Sequence, residues 1–559
     1  MDPKKAGIII VISFLSFACA SGFISPEEAK ELSINLQTMR IPPPPRDSSD
    51  IREIISEICS RLPREAMKSE QSPPDPKEID AIYDYTRGDS GSSDSTFLDS
   101  GSIIRIGAEE SFKARMAGQP MRARAINMKG YELLKNSIAS EPWHVSVAAN
   151  RVALSLMETG GFSEALFYLD EALKQDVENK LVQMKGRRGR LLNHAWAHSL
   201  KAYMFAILGD YENAREAIEN AKENLTRSTN KDFENMVFGI FEMAKAQLFF
   251  GEGRDDECME SVETALEYFQ DSLTGSPFIP VCLNLQLSVL IRNGKLIEAE
   301  LYARMALKRA LENSGVVLGT IPIFLGSLTT LYAEMGRAPE AEKIARTALE
   351  IRTHGGMLGN SDINLLIRID LLRALVLQKK WDEAVELADN ILKSSTSSDS
   401  LFSRSGWYGY IFTLNATVAY IKSGRFHDFA EHFEAGPSEA AKMFGANHYA
   451  VAELTALKGA FHLEQGEMEK AHEAFAAAVP ILINGQGAGE RRENLFSRKL
   501  RLTIIAEAYL RLLTMSDNTE FELQAEEDIL NKGFKLAELA KSSQGDCCDS
   551  EIEPQGSCC

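Results

Sequence analysis

Positive charge is in short supply along this chain. Its 61 Lys and Arg residues face 80 Asp and Glu, which leaves a net charge of −19 over 559 residues. That balance argues against non-specific binding to nucleic acid, which needs a basic face. Cysteine is scarce where a disulfide framework would need it. Of eight cysteines, four crowd into the end of the chain (Cys547, Cys548, Cys558, Cys559), and Cys19 sits in the N-terminal apolar segment. Only Cys59, Cys258 and Cys282 remain in the body, so no disulfide scaffold is expected there.

What the chain does have is a repeat. A Gly is followed two residues on by an aromatic or apolar residue, then three on by Ala, then seven on by a second Ala. It runs Gly160, Phe162, Ala165, Ala172; Gly209, Tyr211, Ala214, Ala221; Gly294, Leu296, Ala299, Ala306; Gly336, Ala338, Ala341, Ala348; and Gly466, Met468, Ala471, Ala478. Looser copies fall between: Gly253 with Cys258 and Ala265, Trp381 with Ala384 and Ile391, Gly424 with Phe426 and Phe429. The first-Ala positions are 165, 214, 258, 299, 341, 384, 429 and 471, a spacing near 42. A fixed period of this length means stacked supersecondary units.

The pattern fits a helical hairpin. Gly ends one helix, where a left-handed residue is needed. The small Ala lets the second helix approach the first, and the Ala seven later lies on the same face two turns on. Apolar residues at helical spacing precede each turn, as in Leu200, Tyr203, Met204 and Ile207 before Gly209. Cys258 occupies a small-Ala position and reads as a packed small side chain.

These residues resemble the tetratricopeptide repeat (TPR), whose usual unit is about 34 residues. The longer unit here resembles the long-helix subtype. Met443-Phe444-Gly445-Ala446-Asn447-His448 looks like that subtype's connector, and Gly359-Asn360-Ser361-Asp362 is an echo of it. The resemblance implies an all-α fold: a right-handed superhelical solenoid of about eight to ten TPR-like hairpins. A second resemblance sits at the two ends. Pro44-Pro45-Arg46-Asp47-Ser48-Ser49-Asp50-Ile51, residues 506–513 and residues 533–541 are similar to segments of bacterial exported proteins that join such repeats to a CHAT (caspase-like) peptidase. There the second helix continues with Ala-Arg-Gly into the peptidase; here it reads Ala540-Lys541-Ser542 and the sequence stops soon after.

The boundaries expected are a signal peptide over 1–20, a Pro/Ser-rich N-terminal segment and linker with a short helix over 21–103, the repeat array over 104–540, and an acidic Cys-rich tail over 541–559. Lys4 and Lys5 precede an apolar run, and Ala18-Cys19-Ala20 fits a small-x-small cleavage site. Two alternatives stay open. Ala6 to Phe23 is free of charge and would serve as an uncleaved anchor, and Cys19 would be the lipidated residue of a lipoprotein. The membrane is otherwise not an expected partner.

Chemistry-bearing motifs are weak. Thr353-His354-Gly355-Gly356 superficially resembles a caspase-like His-Gly element but has no matching Cys segment. His194 and His198 have helical zinc-like spacing, yet no third ligand is evident. Gly485-Gln486-Gly487-Ala488-Gly489 lacks the Lys-Ser/Thr ending of a phosphate loop and follows a helix. The basic runs Lys185, Arg187, Arg188, Arg190 and Arg491, Arg492, Arg498, Lys499, Arg501 read first as solvated patches and second as docking points for an acidic partner. The Cys547-Cys548 and Cys558-Cys559 pairs suit disulfides or a soft metal, or are a tail under no chemical selection. No enzyme activity, cofactor, metal or small-molecule substrate is therefore expected.

The expected function is an exported (periplasmic or extracellular) scaffold that binds a protein or peptide in its concave groove, with no nucleic acid. The alternative is the regulatory half of a CHAT peptidase system. Polar residues on otherwise apolar first helices mark the groove: Asn284, Ser288 and Arg292; Ser327 and Thr330; Asp370 and Arg373; Asn415 and Lys422.

Overall fold

Small residues at the period of the repeat become helix crossings in the computed structural model. It describes residues 75–84, 100–116, 119–137, 140–177, 187–227, 234–271, 278–312, 317–354, 361–394, 407–484, 495–516 and 531–539. The expected signal segment 1–20, the Cys-rich tail, and residues 50–63, where Ile51, Ile54, Ile55, Ile58 and Leu62 carry the short helical pattern of the N-terminal segment, lie outside them. So do the whole glycine-rich run Gly485–Gly489, and Gly355 and Gly356 of the His-Gly element.

The elements are α1 (Pro76–Asp84), α2 (Ser100–Met116), α3 (Pro120–Lys135), α4 (Pro142–Thr159), α5 (Phe162–Val177), α6 (Arg187–Ile207), α7 (Tyr211–Thr226), α8 (Glu234–Glu252), α9 (Asp255–Asp271), α10 (Ile279–Arg292) and α11 (Leu296–Glu312). They continue with α12 (Val317–Glu334), α13 (Ala338–His354), α14 (Asp362–Leu377), α15 (Trp381–Ser394), α16 (Trp407–Ser423), α17 (Ala430–Phe444), α18 (Tyr449–Glu464), α19 (Met468–Asn484) and α20 (Phe496–Ser516), and α21 covers 531–539. Among the described residues there is no strand. The fold is an all-α solenoid of antiparallel hairpins, α4 with α5 through α18 with α19.

The turn chemistry follows the repeat. Glycines 160, 209, 253, 294, 336, 424 and 466 all take positive φ, between 70° and 87°. In the α14–α15 hairpin the turn falls to Lys379, at φ 60°, with no glycine to take the left-handed conformation. All eight first-Ala positions are fully buried, Cys258 among them. Burial pushes the Cys258 thiol up to about 12, which makes it a packing residue and not a nucleophile. Where the pattern calls for a small residue but supplies Phe429, the second helix does not start at once. A 3₁₀ turn over Phe426–Phe429 precedes α17, and the Phe429 ring stacks on Tyr420 with centroids 4.7 Å apart.

One feature departs from expectation at the N-terminal end. α1 lies inside the segment read as linker. Ile79 and Tyr83, four apart on α1, are buried, and the Tyr83 hydroxyl donates to the Ile126 carbonyl at 2.9 Å. α2 and α3 form a further hairpin ahead of the first Gly-Ala repeat, in the region where the array was expected to begin.

Each hairpin leans on the next through ion pairs and buried polar bonds at the repeat spacing. Arg115 pairs with Glu158 at 2.8 Å and Lys380 with Glu342 at 2.7 Å. Asn150 donates to Asn193 Oδ1 at 2.8 Å, and Asn193 to Ser146 Oγ at 2.8 Å. The partly exposed pairs add about 0–1 kcal/mol each. The buried apolar face of the helices carries most of the stability.

The solenoid also returns on itself. At the first such seam, the Asp362 amide donates to the Gly160 carbonyl at 2.9 Å, and the Phe162 amide donates back to Asp362 Oδ2 at 2.9 Å. At the second, the Trp407 ring lies 6.2 Å from that of Phe250. At the third, Glu334 accepts from the Ser497 amide at 3.0 Å and from its hydroxyl at 2.7 Å. The partners stand four to five hairpins apart in the chain order. First helices from successive windings thus meet along the inside.

Candidate functional site

The polar candidates on the first helices fall in register. Ser288, Thr330 and Arg373 each stand six residues before the residue that turns their hairpin. Ser327, Asp370 and Asn415 each stand nine before it. Two rows of polar side chains therefore run across α10, α12, α14 and α16.

The structure gives these residues different surroundings. Asn284, Ser288, Ser327, Thr330 and Asp370 are half-buried. The Ser288 hydroxyl donates to the Asn284 carbonyl at 2.8 Å, one turn back on the same helix. The Thr330 hydroxyl donates to Asp370 Oδ1 at 2.8 Å and ties α12 to α14. Burial pushes the Asp370 carboxyl up to about 6, against the pull of Arg373 and the Thr330 hydroxyl.

The other sequence candidates are held within the fold or lie at its edge. Arg292 is 5% exposed; it ion-pairs with Asp255 and donates to the Phe250 carbonyl at 2.7 Å. Its guanidinium lies 4.1 Å from the Phe250 ring centroid and 5.3 Å from that of Trp407. Arg373, also buried, stands 3.7 Å from Glu334, the carboxylate that receives Ser497. Asn415 is buried and donates to its own helix at Ile411. Lys422 is exposed and stands 3.6 Å from Glu507 of α20.

Several inward residues were not among the sequence candidates. Glu334 lies on the same α12 face as Ser327 and Thr330, at i+7 and i+4, and that spacing could have found it. Glu453 pairs at 2.7 Å with Arg501 between α18 and α20, so this member of the basic run is held within the fold and is not part of a solvated patch. Trp407 and Tyr410 pack with each other and with Phe444, with centroids 5.3 to 6.2 Å apart. Aromatic residues on a first helix read as ordinary core, so no sequence signal set them apart.

Chemistry elsewhere is sparse. His194 and His198 lie on α6, where burial pulls the His198 imidazole down to about 4. Among the described residues, no three His, Cys, Asp or Glu side chains converge as metal ligands. No helix of the described residues is long and apolar enough to cross a membrane.

No protein-family model and no curated protein sequence matches the chain. Solved structures that it resembles include a Rap protein complexed with competence and sporulation factor, at 13% identity and a TM-score of 0.44 over 71% of this chain and 98% of that one. The apo quorum sensor NprR from B. thuringiensis aligns at 13% identity and 0.40, over 69% and 100% of the two chains. A human IFIT1 dimer with PPP-AAAA aligns at 15% identity and 0.37, over 85% and 96%. At these scores the fold stands on the chain's own hairpins. The CHAT resemblance and the exclusion of nucleic acid rest on sequence and charge alone.

Proposed function

We propose that the chain is a non-enzymatic helical-repeat scaffold that binds a protein or peptide segment along the inward faces of α10, α12 and α14. The observation that carries this is the pair of polar rows in register. Half-buried Ser288 and Thr330 stand six residues before their turns, and Ser327 and Asp370 nine, with Asn284 one turn behind Ser288. An extended segment can touch several of them at once. The proposed site is narrower than the full concave face, because Arg292 and Arg373 are taken up by the seams and Asn415 is buried, bonded to its own helix.

A photo-crosslinking amino acid at Ser288 or Ser327 should trap the same partner, while one at Glu216, exposed on α7, should trap none. Crosslinking from Glu216 alone would move the site to the outer face. The proposal includes export to the periplasm or the extracellular space, from Lys4, Lys5 and the Ala18-Cys19-Ala20 signal. N-terminal sequencing should then find Ser21, and a protein keeping Met1 in the cytosol would refute it. The second reading, a regulatory half of a CHAT peptidase system, is supported by residues 506–513 and 533–541. A CHAT-like reading frame beside the gene separates it from a free-standing scaffold.

A further inference from the structure

At the first seam one buried cation, Arg352, pairs with no carboxylate among the described residues, while Asp362 in the same seam accepts from the Phe162 amide. Arg352, near the end of α13, is 1% exposed. Its Nε donates to Asn364 Oδ1; its Nη2 donates to the Ser361 hydroxyl at 3.0 Å and to the Thr159 carbonyl at 3.2 Å. Nη1 is sealed from solvent and has no hydrogen-bond partner among the described residues. The acceptors are all neutral. Arg292, Arg373 and Arg501, the arginines of the other inner contacts, each meet a carboxylate. Burial alone pulls the Arg352 guanidinium down to about 10.

The surroundings strengthen the anomaly. Ser361 caps α14, a helix of 16 residues, so the guanidinium sits at the positive end of that helix. The last carbonyl of α4, from Thr159, gives only a partial negative charge in return. A buried guanidinium and a helix N-terminus together prefer an anion, and Nη1 has a donor to give it.

We propose that this seam binds an oxyanion, a carboxylate or phosphate group, on the free Nη1 of Arg352 beside the N-terminus of α14. The anion supplies the missing charge and locks the α4–α5 turn against the start of α14. Its binding is thereby linked to the Asp362–Gly160 and Phe162–Asp362 hydrogen bonds that close the first winding. Neither the site nor its test depends on the peptide-binding proposal.

The test is thermal unfolding of the full chain in phosphate, acetate and chloride series at equal ionic strength. The wild-type midpoint should climb with the logarithm of phosphate or of acetate concentration, since a ligand of the folded state alone acts by mass action. The series that climbs identifies the group. In Arg352→Gln that slope should fall to the chloride slope. Equal slopes in the two proteins would overturn the proposal, because general salt effects act on both. If Arg352→Gln does not fold, Ser361→Ala decides by calorimetric titration with the same anions. It removes one bond that aims the guanidinium, so affinity should fall about tenfold. No binding by wild type, or unchanged affinity in Ser361→Ala, would overturn the site.

Discussion

Asp370 should be a residue that weakens the fold at neutral pH, and Asp370→Asn measures by how much. Its carboxyl rises from an ordinary 3.8 to about 6 because α12, α14 and their neighbours exclude water from it. A group whose folded pKa lies above its unfolded value contributes fully below the unfolded value. That contribution fades as pH rises towards 6 and is absent above. The difference corresponds to about 3 kcal/mol at about 1.4 kcal/mol per tenfold change in proton affinity. Asparagine keeps the shape and can still accept from Thr330, while Arg373 keeps Glu334. Asp370→Asn should therefore be more stable than wild type by about 1–3 kcal/mol at pH 7.5 and equal to it near pH 4. The assay is denaturant and thermal midpoints of both proteins across that pH range. Lower stability of Asp370→Asn at pH 7.5 would show that the ionised carboxylate is satisfied in the fold and refute the argument. A confirmed gain would mark Asp370 as a charge kept on the proposed binding face at a stability cost.

Other substitutions probe the repeat itself. Lys379→Gly should stabilise by about 0.5–1 kcal/mol, because Lys379 holds the left-handed turn that glycine takes in the other hairpins. A loss of stability in urea titration would contradict this. Ala214→Leu and Ala341→Leu should each destabilise by about 1–3 kcal/mol through overpacking at fully buried crossings. Ala446→Leu, exposed after α17, should change stability by less than about 0.5 kcal/mol. Equal midpoints for all three would mean the repeat register is wrong.

The hairpins were legible because one physical demand recurs at one spacing. A turn needs a positive φ and a crossing needs a small residue, so Gly209 with Ala214 and Gly336 with Ala341 could be read directly. The α14–α15 hairpin was still found without its glycine, since Trp381, Ala384 and Ile391 keep the pattern. α1 was missed because nine residues in a Ser-, Asp- and Gly-rich stretch show only one short face, Ile79, Ile82 and Tyr83. The polar rows were legible as polar residues on apolar helices. That Asp255 and Trp407 would take up Arg292, and Glu334 would meet Arg373, was not. Asp255 and Glu334 come from the preceding hairpin, one repeat back, where nothing in the repeat pattern marks an acidic partner. Trp407 depends on how the windings meet, which sums many small rotations between hairpins and leaves no local trace. Arg352 was invisible for the same reason: its neighbours Thr159 and Ser361 come from different windings.

The return of the solenoid onto itself is the central structural claim, and a double-mutant cycle on Glu334 and Ser497 tests it most directly. These residues are 163 apart in sequence and are joined by two hydrogen bonds. Glu334→Ala, Ser497→Ala and the double variant should give a coupling energy of about 1–2 kcal/mol, since a buried hydrogen bond to a charged group is removed. Additive effects within about 0.5 kcal/mol would mean that α12 and α20 do not meet, and that the inner face is open.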